Sequence, residues 1–590
     1  EMDDDGAIRI EHANGDVTID FNPQPEPPKG KADAFSGNLA LRMNDEDLSS
    51  IASDLLDGVQ RDEESRAEWL TTRSRGISLL GTKLKTPKSD LGSSVEGMSS
   101  IDHPLLLEAT INFQATARAE LLPASGPVKV RNDSPIPPET PLQDTSAVNA
   151  LKSSLSSLDN LSQALEKDMN HYLTVTATEY VPDTDRMLFY VGFGGDGFKK
   201  VYNCPLRRRP VSESVDAEDL IVSNATTDLK NCGRITQRIR MRPAVLKRMQ
   251  IMGVYRDVEL SPPTIAKKNE VDKKLEEISG IKSNNKRPQD RDYELYEIYC
   301  ELDLDQFAPK QFKGKGLPLP YRVTIEAESR AVLDVRRNWE ADDKQCLPRQ
   351  FFVQYPFIRG LGFYGLGYIH TLGNTVITLT AAWRETLDAG MYASFPGFLY
   401  DKQVGRQLTN QFRVPPGGGI PIEVGAQKRI QDAIMPIPYR EVGAGFTSFI
   451  QHVEDVGRRL ATSGSVTVGE GKQDAPVGTT LALIEQATKA IDAAHKRLHA
   501  AQAEEFQLLK ARFRDDPEAF WRFNKNPTHA WAKDQFIEAL NNCNLVPVAD
   551  PNNPTSQHRI AKAMAIKELQ KQSPELYDKM AVDMRVMQII

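Results

Sequence analysis

Residues 351–399 read FFVQYPFIRGLGFYGLGYIHTLGNTVITLTAAWRETLDAGMYASFPGFL, and their reading decides the fold. Between Arg359 and Arg384 there is no Asp, Glu, Lys or Arg. On length alone this is a candidate membrane span. Its interior argues otherwise: Gly360, Gly362, Gly365, Gly367 and Gly373 interrupt the first half, and His370, Thr371, Asn374, Thr375, Thr378 and Thr380 would need partners in lipid. No Lys/Arg cluster flanks it and no second such segment occurs. The alternative is a long helix over 366–389, about 35 Å at 1.5 Å per residue. A helix uncharged all round must be buried all round. Here that means burial within the molecule, as in any large protein, or against copies of it.

Five cysteines (Cys204, Cys232, Cys300, Cys346 and Cys543) lie far apart and form no CxxC pair, so neither a disulfide framework nor a zinc ribbon is expected. Folding in a reducing, cytosolic compartment is the simplest expectation. The opening EMDDDG is acidic and polar, unlike a secretory signal. At 590 residues, 40% hydrophobic and 26% charged, the chain has material for roughly three or four domains. A net charge of −8 argues against a generally basic nucleic-acid coat but leaves room for local basic patches.

Residues 1–37, with NPQPEPPKGK and few apolar side chains, predict an extended or disordered arm. A first helix is expected from Asn44, with Leu48, Ile51, Leu55 and Val59 on one face. A second starts at Asp102-His103-Pro104 and stops at Pro123. Between these helices lies a Ser/Gly/Lys-rich linker, 81–100, and after the second a Pro-rich one, 135–141. A stripe from Val148 through Leu165 and Met169 to Tyr172 predicts a third helix, as a short coiled coil or packed on its own domain. Residues 172–178, 187–192 and 198–202 read as strands, with GFGGDGF as the turn between the last two. That glycine cluster lacks the Lys-Ser/Thr ending of a phosphate loop. The run RITQRIRMRPAVLKR from Arg234 is basic and turns helical at Pro243. It is either a solvated helix start or a contact for phosphate or an acidic partner.

An exposed helix is expected over 267–278, a strand over 293–302 and a hairpin from Tyr321 and Ala331. Residues 401–445 include VPPGGGIPIEVG, which cannot be helical, and are locally basic. Helices are then expected over 446–462 and 479–513, and around Phe520, Phe536, Ile560 and Leu576. His495 and His499, four apart, have the spacing of a metal pair, but Lys-Arg-Leu between them and no nearby acidic ligand predict exposed histidines. No GxSxG, HExxH, Walker, Rossmann or acidic metal-site motif is present. An enzyme is therefore not expected, and neither a cofactor nor a metal is.

The order of segments resembles the portal proteins, or head-to-tail connectors, of tailed double-stranded DNA bacteriophages, above all the large portals of short-tailed phages. The resemblance is carried by DHPLLLEATINFQATARAELLP from Asp102, GFKKVYNCPLRRRPVSESVDAEDLIVS from Gly197 and RITQRIRMRPAVLKRMQIMGVYRDV from Arg234. It continues in YELYEIYCELDL from Tyr293, LPYRVTIEAESRAVLDVRRNW, RGLGFYGLGYIHTLGN, TTLALIEQATKAIDAAHKRLHAAQAEEFQLL and PVADPNNPTSQHRIAKAMAIKELQKQSPELYDKM. Together these cover most of 102–580, and the first hundred residues lie outside.

The resemblance implies an α+β, mainly helical, multi-domain portal fold, in a ring of about twelve copies at one capsid vertex of the virion, assembled in the host cytoplasm. It implies double-stranded DNA in a central channel, docking of the terminase large subunit and then of a tail or head-completion adaptor, and contact with capsid and scaffolding proteins, with no membrane. Laid on this chain, it gives an arm (1–43), a wing (44–233), a first stem helix and linker (234–292) and a clip (293–357). A second stem helix (358–400), a channel loop (401–445), a channel helix with a long wing helix (446–514) and crown-side helices (515–590) follow. Lys402, Arg406, Arg413, Gly417, Gly418, Gly419, Lys428 and Arg429 would face DNA. Arg330, Asp334, Arg336 and Arg337 would make clip contacts, and Gly365, Gly373 and Trp383 would pack subunits. A scaffold or adaptor of another large assembly is the rival reading. A nucleic-acid enzyme would need clustered carboxylates or a phosphate loop.

Overall fold

The computed structural model describes residues 8–11, 17–20, 35–83, 99–132, 160–263, 268–280, 291–394, 398–400, 434–436, 443–461, 477–524, 527–548 and 567. For 8–11, 17–20, 392, 398–400, 434–436 and 477–492 this is backbone alone. Helix outweighs strand and the two are mixed, as an α+β class requires.

Asp45, Glu46 and Asp47 open helix α1 (Asp45–Ser65), where the helix dipole favours them, and Leu48, Ala52, Leu55 and Val59 bury one stripe. Helix α2 (Ala67–Leu79) follows one break at Arg66. Pro104 caps α3 (Leu105–Leu121), which buries Leu105, Leu106, Ala109, Phe113, Ala117 and Leu121. Next come helical residues 160–171, a π-helical turn Tyr172–Thr176, and α4 (Tyr180–Gly194). Pro243 starts α5 (Pro243–Ile251), and Asn269 caps α6 (Glu270–Ser279) by accepting from the Asp272 amide at 2.7 Å. The remaining long helices are α7 (Tyr368–Ser394), α8 (Ala444–Ala461), α9 (Val477–Asp515) and α10 (Lys533–Asn542).

Among the described residues all strand pairs are antiparallel. A hairpin joins β1 (Ile8–Glu11) to β2 (Val17–Asp20), and β3 (Val128–Asn132) pairs with β14 (Cys543–Pro547). A three-stranded sheet runs β11 (Phe352–Pro356), β4 (Asp196–Cys204), β5 (Arg209–Val215). A five-stranded sheet runs β10 (Val332–Arg337), β9 (Leu319–Glu326), β8 (Tyr293–Leu302), β7 (Arg234–Met241), β6 (Leu220–Ile221). The strands expected in a clip are thus hydrogen-bonded to β7, from the segment expected to lead into a first stem helix. Short β12 (Phe398–Tyr400) and β13 (Ile434–Pro436) pair with each other.

The main core lies where α3, α4, α7 and α9 meet the three-stranded sheet, with Phe113, Leu188, Val191, Val353, Leu372, Val376 and Leu498 buried together. A second core joins Leu165, Met169 and Tyr172 to Phe506, Phe513, Phe520 and Phe536. The described part of the third helical stripe, from residue 160, therefore packs within the chain, and its first half lies outside the described residues. A third core sets α1 against the five-stranded sheet.

Several expectations are corrected. The segment 172–178 is helical at Tyr172–Thr176, and 187–192 lies inside α4. Tyr180, Thr184, Met187, Leu188 and Val191 are buried at helical spacing, which outweighs the strand preference of Phe189, Tyr190 and Val191. GFGGDGF is not a hairpin turn but the end of α4 running into β4, with Gly195 left-handed at φ 101° as the C-cap. The arm contains the β1–β2 hairpin. Its last residues are docked: Leu39, Ala40 and Met43 are buried, and Asn38 donates to the Leu333 carbonyl at 2.9 Å and accepts from the Val335 amide at 3.1 Å.

His495 and His499 are buried in the main core, not exposed. On α9 their side chains point away from Lys496, which is exposed, so the charged neighbours in sequence were no guide to their environment. The linker 135–141, the glycine-rich run and the helices expected around Ile560 and Leu576 lie outside the described residues.

Candidate assembly and partner surfaces

Helix α7 is the element from which the candidate surface is built. Its entry is a backbone-on-backbone contact. The Gly365 amide donates to the Asp196 carboxylate, and a Cβ on Gly365 would stand 2.7 Å from the Gly195 carbonyl oxygen. A Cβ on Gly367 would stand 2.4 Å from the Gly195 nitrogen and 2.5 Å from the Phe193 carbonyl oxygen. These glycines exist because two chain segments touch there. Asp196 is wholly enclosed. Burial pushes its carboxyl up to about 6, against the opposing pull of the Gly365 amide and Gln354. Gly365, expected to pack subunits, is therefore used inside the chain.

Along α7 the inner face carries Leu372, Val376, Leu379 and Ala382, all buried. The His103 amide donates to Thr380 Oγ1 at 3.1 Å, and the Arg384 guanidinium reaches the Ile101 carbonyl and the Asp102 carboxylate. Trp383 meets His103 edge-on at 4.3 Å. Helix α8 comes close at Gly457, where a Cβ would stand 2.6 Å from Leu105 and 3.1 Å from Thr375.

The opposite face is open among the described residues. Thr371, Asn374, Ile377, Thr378 and Ala381 are exposed and uncharged, Ile377 to 51%. Gly373 beside them is itself buried, although a side chain there would meet nothing within 4 Å. Farther along, Leu387 and Met391 are also exposed, as are Phe449 and Leu460 on α8. Among the described residues α7 is thus covered on one side only. It is not buried all round, as an uncharged helix was expected to be.

The four residues expected to make clip contacts divide. Arg330 is exposed at the β9–β10 tip with φ 56°. Asp334 is enclosed between Arg322 at 3.1 Å and Arg336 at 2.9 Å. Arg336 also donates to the Val254 carbonyl at 3.0 Å. Arg337 donates to the Phe35 carbonyl at 3.1 Å and lies over the Phe35 ring. In the basic run, Arg234 pairs with Asp62 at 2.8 Å, Arg238 with Asp219 at 2.6 Å, and Arg240 with Asp272 at 2.6 Å. These cations brace the five-stranded sheet against α1 and α6. Lys402, Arg406, Arg413, Gly417, Gly418, Gly419, Lys428 and Arg429 lie outside the described residues.

Sequence reading missed the buried charges. Arg73 pairs with Glu218, and Arg66 donates to the Glu218 carbonyl at 2.7 Å. Lys199 pairs with Glu505 at 3.1 Å, and that carboxylate also accepts from Ser212 and from Tyr355. Among the described residues no group of three His, Cys, Asp or Glu is placed to hold a metal, and no helix is long and apolar enough to cross a membrane.

The architecture is therefore a set of braced sheets and helices from which one long helix presents an uncharged face. Residues 159–493 match the family model described as phage SU10 portal protein. No curated protein matches the chain. The matched span is more than half of the 590 residues and includes both larger sheets, α7 and α8. The chain belongs to the phage SU10 portal protein family.

Proposed function

We propose that this portal protein assembles as a ring of about twelve copies at one capsid vertex, and that double-stranded DNA passes through its channel during packaging and ejection. The terminase large subunit docks on the ring during packaging and a tail or head-completion adaptor replaces it afterwards, while capsid and scaffolding proteins hold the outer rim. The observation that carries this reading is the open face of α7. A helix face kept in water normally carries charge, whereas Thr371, Asn374, Ile377, Thr378 and Ala381 carry none, and Thr371, Thr378 and Ala381 are small enough for a neighbouring helix to approach. A second copy is the cover this face fits, with Gly373 within the contact.

The net charge of −8 per chain makes such a ring acidic, so DNA slides through it while a few cations touch phosphate transiently. Lys402, Arg406, Arg413, Lys428 and Arg429, around Gly417, Gly418 and Gly419, are the cations proposed for that contact. Arg330, exposed at the β9–β10 tip, is the hairpin cation left for a docking partner. Projection images of the purified protein test the proposal. Rings with a hole wide enough for duplex DNA support it, and compact particles without a hole reject it.

A further inference from the structure

The three-stranded and five-stranded sheets pack on each other through Phe198, Val215 and Phe352 against Leu220, Ile235 and Tyr299, but not over their whole facing area. Between them lies a half-enclosed cavity of about 660 Å3, lined by β4 and β5 on one side, β7 to β10 on the other, and the end of α9. That size is within the range of small-molecule pockets. Two ionic arrays run along its walls. In the first, Lys200 reaches Glu297 at 2.6 Å, Arg322 stands 3.6 Å from Glu297 and 3.1 Å from Asp334, and Arg336 closes on Asp334 at 2.9 Å. Three cations share two carboxylates. In the second, Arg349 and Arg512 share the single carboxylate of Asp515, Arg512 at 3.6 Å.

Arg337 adds a further cation to the lining, held by backbone carbonyls. Of the remaining acids in the wall, Glu213 is engaged by Arg207 and by Tyr202. The cavity therefore carries surplus positive charge inside a chain that is acidic as a whole.

Arg512 shows what that surplus costs. It is 4% exposed, its guanidinium lies 4.6 Å over the Phe351 ring, and its Nε has no hydrogen-bond partner among the described residues. Burial, then the neighbouring Arg349, push it down to about 10, with Asp515 opposing. A buried guanidinium short of anions is unfavourable by itself and becomes favourable when an oxyanion completes it. Guanidinium forks match phosphate oxygens two at a time, and Phe351, Tyr202 and Tyr255 supply apolar wall for the rest of a ligand.

We propose that the cavity between the two sheets is a binding site for a small phosphate-bearing anion, seated on Arg349 and Arg512. The site is independent of the α7 face and of ring formation. Its test is isothermal titration of the full chain with inorganic phosphate, pyrophosphate and dATP, against sodium chloride at matched ionic strength. Pyrophosphate is expected to bind, and chloride not. Competition by dATP would put the phosphate on a nucleotide, and its absence would leave the free ion; both support the site. Arg349→Gln with Arg512→Gln should weaken binding about tenfold or more, while Arg75→Gln on the exposed side of α2 leaves it unchanged. If the double variant fails to fold, Arg349→Lys, which keeps the charge and loses the fork, should also weaken binding. Equal binding by the folded Gln variant or by Arg349→Lys, an equal response to chloride, or binding of acetate in preference to pyrophosphate would overturn the proposal.

Discussion

Lys199 and Glu505 are 306 residues apart in sequence and 3.1 Å apart in space, both essentially without solvent. Thr184 and Ser212 bond to this pair at 2.7 and 2.6 Å, and the Tyr355 hydroxyl donates to the other Glu505 oxygen. A buried pair is weak evidence of net stabilisation, but removing one partner strands the other. Lys199→Met is therefore expected to lower unfolding free energy by about 3–5 kcal/mol, and Lys199→Met with Glu505→Leu to recover part of it, read from denaturant midpoints. His495 makes a different kind of demand. Neither ring nitrogen has a hydrogen-bond partner among the described residues, and burial, with a smaller contribution from His499, pushes the imidazole from 6.5 down to about 4. Between those values the unfolded chain binds a proton that the folded chain does not, so stability is full above about 6.5 and falls as pH drops towards 4. From pH 6.5 to 5 the loss is about 2 kcal/mol. Chemical denaturation across that interval should show it for the wild type and lack it for His495→Gln.

At the scale of elements, the junction into α7 is held by glycines that face backbone, not flexible side chains. Gly367→Ala puts a methyl 2.4 Å from the Gly195 nitrogen, so one segment must move. A loss of about 1–3 kcal/mol is expected, seen as a lower thermal midpoint. In the β9–β10 hairpin, reversing Arg336 and Arg337 would break the enclosed Asp334 contact and the Phe35 dock along with any partner contact. Arg330→Glu is the cleaner change. It should reduce DNA packaging by the motor while ring mass stays the same, and normal packaging would remove the hairpin from the docking surface.

These elements also mark what the chain discloses before folding. The strand at Tyr293–Leu302, the proline starts of α3 and α5, and the stripe of α1 are legible because periodicity and capping act locally. Helix α4 was misread because its Phe-Tyr-Val run has strand preference, and only contacts with α3 and the sheet decide otherwise. The cationic run from Arg234 looked like a surface. Its partners Asp62, Asp219 and Asp272 are distant in sequence or on other elements, so their pairing could not be read.

For the whole molecule, the uncharged interval between Arg359 and Arg384 was legible as demanding a cover, and the described residues supply cover on one side only. The second side is where the proposed assembly would enter. The proposed channel loop offers one check: in Gly418→Cys, the thiol is expected to be protected from a labelling reagent in DNA-filled heads and labelled in empty ones. Equal labelling would place it outside the channel. The most direct test is native mass of the purified chain beside a variant with charge on the open face of α7, Thr378→Lys with Ala381→Lys. The account predicts a closed ring of about twelve chains for the wild type and smaller species for a variant that remains folded. A wild type that stays monomeric or dimeric at micromolar concentration in every buffer tried, or a folded variant that forms the same ring, would contradict it.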